Sequence, residues 1–151
     1  LLSLSAFKMA EGQSIDLSIV SKEVDIELLN NLHKKKTGSL LNCSVMFGAI
    51  LNPNISKKDL SILDSFSNLI GLAYQVQDDV LDVITSDEIL GKRQNSDSEK
   101  NKPSYPSILG LDESVKKYEG LYQEALDEIT LLSVNEKPLK DLTVKLMKRS
   151  F

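Results

Sequence analysis

Leu69-Ile70-Gly71-Leu72-Ala73-Tyr74-Gln75-Val76-Gln77-Asp78-Asp79-Val80-Leu81-Asp82 sets three aspartates inside an otherwise core-type run. Its apolar residues recur every three to four positions, the period of a helix and not of a strand. Upstream, Ser56 followed three residues later by Asp59 forms a capping-box pattern that opens this helix. The helix is expected to run to about Ile84, some ~29 residues, long enough to cross a whole domain as its central element. Within it Asp78 and Asp82 fall about 6 Å apart along one face, with Gln75 one turn before Asp78 on the same side. Like charges at this spacing repel, so a compensating partner is expected. A hard divalent cation is one such partner, because Mg²⁺ takes oxygen ligands, uses one or two carboxylates and leaves the rest of its shell to phosphates and water. Read alone, the string is equally compatible with a solvated acidic face.

Before this helix, Ile26, Leu29, Leu32, Leu40, Cys43 and Phe47 follow a three-four spacing that predicts one helix from about Val24 to Leu51, closed by Asn52-Pro53-Asn54. Lys36 stands in that apolar stripe. A lysine there needs an anion or a carboxylate, and the neighbouring Thr37 hydroxyl can donate to the same phosphate oxygen. The plainer alternative is a side chain that reaches solvent beside Lys34 and Lys35. After the central helix the apolar pattern stops, and 86–106 reads as a long charged loop in which Lys92 and Lys102 flank the middle and Pro103 and Pro106 fix the end. Asp112 is expected to cap a helix to about Leu132 with Val115, Tyr118, Tyr122, Ala125 and Ile129 inward, and a last helix starts near Pro138. The chain therefore reads as all-α.

Composition bounds the rest. The 151 residues are 41% hydrophobic and 26% charged, enough for one domain with a real core. A net charge of −4 argues against a sequence-independent nucleic-acid surface, so any anion must be held locally. Cys43 is the only cysteine, which excludes an internal disulfide and a cysteine-based zinc site, fits a reducing cytoplasm, and reads as a small core residue. His33, the only histidine, is expected at the helix surface, and Tyr105 and Tyr118 in packing. No run approaches the roughly 20 apolar residues of a membrane span. The first residue is Leu, and Leu1 to Ala10 reads as the middle or end of a helix, so the chain is expected to begin inside a longer protein.

Five landmarks carry a resemblance: Gly12-Gln13-x-x-Asp16; Lys36-Thr37-Gly38; the Gly71 to Asp82 string; Gly91-Lys92; and Lys102-Pro103-Ser104-Tyr105-Pro106. In order and approximate spacing they resemble the C-terminal half of trans-isoprenyl diphosphate synthases, nearest to bacterial-type farnesyl or geranyl diphosphate synthases. The resemblance implies an all-α helical bundle of the isoprenoid synthase type, with residues 1–151 the C-terminal portion of one such domain and its N-terminal helices absent. It implies a cytoplasmic, homodimeric transferase of isoprenoid biosynthesis, a prenyltransferase that condenses an allylic diphosphate with isopentenyl diphosphate and releases pyrophosphate. By position Asp78 would ligate Mg²⁺ (or Mn²⁺), with Asp79 and Asp82 as further ligands or supports. Lys36, Lys92 and Lys102 would hold diphosphate, Thr37 and Gln75 would lie against the allylic cation, and Gln13 and Asp16 would be supporting residues. The family's earlier aspartate-rich motif, with its paired arginines, has no counterpart here, so this polypeptide alone is not expected to turn over substrate. Two other readings are a non-catalytic homologous partner or regulatory subunit, and a terpene cyclase of the same fold. Lys36-Thr37 and Lys102-Pro103-Ser104-Tyr105-Pro106 favour elongation over cyclisation.

Overall fold

The computed structural model describes residues 1–90 and 103–149, which form helices joined by short turns, with no strand among the described residues. In chain order these are α1 (Leu2–Ser18), α2 (Ile26–His33), a π-helical turn (Lys34–Gly38), α3 (Ser39–Ile50), α4 (Lys57–Leu90), α5 (Tyr105–Leu109), α6 (Leu111–Ile129) and α7 (Lys137–Met147). The all-α expectation holds. At 34 residues, α4 is the long central element and outruns the expected end at Ile84 by more than a turn. It packs against α6 on one side and against α3 and the π turn on another. No helix among the described residues is long and apolar enough to cross a membrane.

The capping pattern at the start of α4 is real and reaches further than the sequence suggested. Asp59 N–H donates to Ser56 Oγ at 2.9 Å, and that hydroxyl donates back to Asp59 Oδ2 at 2.6 Å. The Ser133 hydroxyl donates to the same carboxylate at 2.6 Å and the Ser133 N–H at 2.8 Å, so a residue beyond α6 is tied to the first turn of α4. These donors, the Ser133 hydroxyl foremost, then the Ser133 amide and the Ser56 hydroxyl, pull the Asp59 carboxyl from 3.8 down to about 2 against the opposing effect of burial. A folded value below the unfolded one means that the contribution is whole above pH 3.8 and fades as pH falls from 3.8 to about 2. Asp59→Asn is therefore expected to melt at a lower temperature than the unaltered chain at pH 7, with the gap narrowing towards pH 2 in circular-dichroism melts. A gap that stays constant with pH would reject this account.

Two apolar clusters fix α4 in place. Phe66, Ile70 and Ala73 of α4 meet Tyr122, Ala125 and Ile129 of α6, and Val76 meets Leu29 of α2 and Tyr105 of α5. Gln77 is buried on the α6 side, where its Oε1 accepts from the Tyr122 hydroxyl at 2.8 Å and its Nε2 donates to the Met147 carbonyl at 3.3 Å. Burial lifts the Tyr122 hydroxyl to about 12, which keeps it a donor.

Several sequence expectations are corrected. The single helix over 24–51 is interrupted by the π turn, a helical segment with a wider backbone ring that commonly marks functional positions. The end of the presumed loop is helical, because Ser104 caps the first turn of α5 and Pro106 sits in that turn, where it lacks no needed N–H. Helix α6 starts at Leu111, one residue before Asp112, and ends at Ile129. Phe47, read as core, is exposed, whereas His33, read as surface, is buried. Cys43 is buried as expected.

Candidate diphosphate and metal site

The π turn lies between α1 and α4, and two glycines allow that approach. A Cβ at Gly12 of α1 would meet the Lys36 backbone nitrogen at 2.4 Å, and one at Gly71 of α4 would meet Gly38 Cα at 3.0 Å. With backbones this close, consecutive residues of the turn face different helices. Lys36 Nζ turns to α1 and pairs with Asp16 Oδ2 at 2.5 Å, while the Thr37 hydroxyl turns to α4 and donates to Gln75 Oε1 at 2.7 Å. Asp16 is buried on α1, so it meets the expected need of Lys36 for a carboxylate. Lys35 reaches Glu11 of α1 at 3.1 Å.

On α4, at about 100° per residue, Gln75, Asp78, Asp79 and Asp82 share a wedge about 100° wide, and Gln77 points away from it. The three aspartates of this wedge stand in different surroundings. Asp78 accepts from Arg149 Nη2 at 2.9 Å, and that guanidinium also covers the Tyr74 ring at 4.1 Å. Asp79 Oδ2 accepts the Tyr105 N–H at 3.0 Å and lies 3.7 Å from His33 Nε2. Asp82 is exposed. Asp78 thus already holds a cation, the Arg149 guanidinium, at Oδ1. Asp78 and Asp82, one turn apart, Asp78 partly exposed and Asp82 exposed, suit a hard ion that takes only one or two carboxylates. Among the described residues no group of three or more carboxylate, histidine or cysteine side chains closes around one point, so the chain offers an open wall in place of a finished metal cage.

An open cleft of about 640 Å³ runs between α2 and α4, lined by residues including Asn30, Asn31, Lys34, Asp64, Asn68 and Leu72. Neither Lys36, Thr37 and Gln75 nor Asp78, Asp79 and Asp82 line it. The cleft is separate from the expected diphosphate seat.

The polyprenyl synthetase family model matches residues 1–135. The chain is 38% identical over 125 residues to the farnesyl diphosphate synthase of Escherichia coli (strain K12), covering 83% of this chain and 42% of that one. The chain belongs to the polyprenyl synthetase family. To the geranylgeranyl diphosphate synthase of Cyanophora paradoxa it is 40% identical over 138 residues, 91% of this chain and 46% of that one. Among solved structures it is similar to the geranyltransferase of Helicobacter pylori complexed with magnesium and isoprenyl diphosphate, with a TM-score of 0.72 and 28% identity over 92% of this chain and 45% of that one. The chain thus spans about half the length of the curated relatives it matches. In this polyprenyl synthetase chain Thr37 meets Gln75 on the wedge of α4 that also bears Asp78, Asp79 and Asp82, while Lys36 on the same turn pairs with Asp16 of α1. Lys92 and Lys102 lie outside the described residues. The sequence reading passed over Asn30 and Arg149 and set His33 at the helix surface, whereas all three pack against the expected site residues or their supports. His33 sits one turn after the buried Leu29, and that spacing was the available signal for its burial.

Proposed function

We propose that this chain is the C-terminal, diphosphate-gripping part of a prenyltransferase that joins an allylic diphosphate to isopentenyl diphosphate head to tail, with farnesyl or geranyl diphosphate synthesis as the activity of the whole protein. One observation carries the reading: the 2.7 Å Thr37–Gln75 hydrogen bond, which sets the lysine-threonine turn against the aspartate-bearing wall of α4. The hydroxyl then meets an amide on the wedge of α4 that bears the carboxylates, with the lysine one residue away on the turn, where a diphosphate ester would leave its allylic carbon. Magnesium or manganese held by Asp78 and Asp82 would supply positive charge to the departing diphosphate. Lys36, aimed by its ion pair with Asp16, contributes a second cation to the same anion. Thr37 commits its proton to Gln75, so its lone pairs stay free to face positive charge that develops on the allylic fragment. The proposal extends to a cytoplasmic homodimer as the whole protein. For the homodimer alone, its support is the apolar surface that α1 and α3 expose at Leu4, Phe7, Leu17, Phe47 and Ile50, which a second copy would cover.

Thermal melts of the chain test the reading. Pyrophosphate with Mg²⁺ is expected to stabilise by about 2.7 kcal/mol at a ligand level a hundred times Kd. For this length that is a rise of about 5–10 °C in Tm. Pyrophosphate without Mg²⁺, or Mg²⁺ without pyrophosphate, is expected to do far less. Equal stabilisation without the metal, or none in any combination, would sink the proposal.

A further inference from the structure

The three aspartates of α4 do not share one job. Asp79 lies at the centre of a closed set of contacts among three helices. Its Oδ2 accepts the Tyr105 N–H at 3.0 Å, one of the amides that the first turn of α5 leaves without a helical partner. The Tyr105 hydroxyl donates to Asn30 Oδ1 of α2. His33, also of α2, stacks on the Tyr105 ring at 5.5 Å and points Nε2 at Asp79 Oδ2 from 3.7 Å. His33 is 4% exposed, and neither ring nitrogen makes a hydrogen bond among the described residues, so Asp79 is the polar group its ring faces. Tyr105 is fully buried, and burial first, then the charge of Asp79, pushes its hydroxyl above the ordinary range and keeps it a donor to Asn30.

Exposure separates the neighbours. The Asp79 side chain is 13% exposed and the Asp78 side chain 36%. A magnesium ion that keeps several waters needs an oxygen with open space before it, which Asp78 offers and Asp79 does not. We propose that Asp79 is a positioning residue: it anchors α5 and the His33 ring to α4, and leaves the cation to Asp78 and Asp82. This division of roles rests on the proposed function, whereas the anchor itself rests on the contacts above.

Asp79→Asn keeps a carboxamide oxygen that can accept the Tyr105 N–H and removes the negative charge. Asp79→Ala removes both. Magnesium binding by the 151-residue chain in the presence of pyrophosphate, read by calorimetry, is expected to weaken by about tenfold or more in Asp78→Asn and to stay within about threefold in Asp79→Asn. Hydrogen exchange at the Tyr105 amide is expected to speed up by about tenfold or more in Asp79→Ala and to change little in Asp79→Asn. If Asp79→Asn loses as much magnesium affinity as Asp78→Asn, the proposal is overturned. Unchanged Tyr105 exchange in a folded Asp79→Ala chain overturns it as well. Should Asp79→Ala fail to fold, the two asparagine variants still decide the matter. An unaltered chain that binds no magnesium with pyrophosphate overturns the functional reading and the division of roles together. That outcome differs from a chain that binds normally and loses binding in Asp79→Asn.

Discussion

Gly12→Ala is expected to destabilise the chain by about 2–3 kcal/mol. At this length that lowers Tm by about 5–10 °C. On an isolated helix the same change would stabilise by up to about 1 kcal/mol, because alanine is the better helix former. Contact reverses the sign here. The new methyl would meet Lys36 N at 2.4 Å, Lys36 Cα at 2.7 Å and the Lys35 carbonyl carbon at 2.9 Å, all of them backbone atoms that cannot swing aside. Either α1 moves away or the π turn unwinds. Both outcomes strain the 2.5 Å pair between Lys36 and Asp16, which lies one turn along the same face of α1 as Gly12. Asp16 is buried, so separation leaves a carboxylate short of its partner and adds to the overpacking cost. Circular-dichroism melts measure the loss. A Gly12→Ala chain as stable as the unaltered one would mean that α1 and the π turn are not held in this close approach.

The fold was legible where side-chain periodicity determines structure. The Ser56–Asp59 cap and the apolar spacing from Ile62 to Val80 announce α4, and the inner face of α6 follows from Tyr122, Ala125 and Ile129. The π turn was not legible, because Lys34 to Gly38 contains nothing that forbids an ordinary helix. The wider ring is imposed by α1 on one side and α4 on the other, a contact between segments distant in sequence. Helix α5 was missed for a different reason. Two prolines and a charged stretch before them suggested a loop, yet Ser104 followed by Tyr105-Pro106 is a helix start in its own right.

The candidate site was legible as residue types but not as partners. The sequence placed a lysine, a threonine and an aspartate wall in register. It could not show that Lys36 would face Asp16 while Thr37 faced Gln75, since that depends on the widened turn. Nor could it show that Asp78 and Asp79, adjacent in the chain, would differ so much in surroundings. A rotation of about 100° carries one towards Arg149 and the other under α5. His33 was misread because a lone polar residue carries no directional signal of its own, and its burial comes from Tyr105, seventy-two positions downstream, stacking on its ring.

Asp78→Ala is expected to remove the Mg²⁺-dependent stabilisation by pyrophosphate, and in the whole protein to lower kcat/KM for the prenyl transfer proposed above by about 100-fold or more. The reasoning starts from the cation already at its oxygen. Arg149 Nη2 sits 2.9 Å from Asp78 Oδ1, so the carboxylate is oriented towards positive charge before any metal arrives. The side chain is partly exposed, so losing the ion pair itself costs at most about 1 kcal/mol and the variant is expected to stay folded. A fall in metal binding then cannot be assigned to unfolding. Arg149 occupies Asp78 Oδ1, which supplies an internal control: Arg149→Gln frees that oxygen and is expected to bind Mg²⁺ with pyrophosphate as well as, or better than, the unaltered chain. If Arg149→Gln loses binding as Asp78→Ala does, the guanidinium is part of the anion site and Asp78 acts by orienting it. If Asp78→Ala binds normally, the aspartate wall of α4 is not where the metal is held.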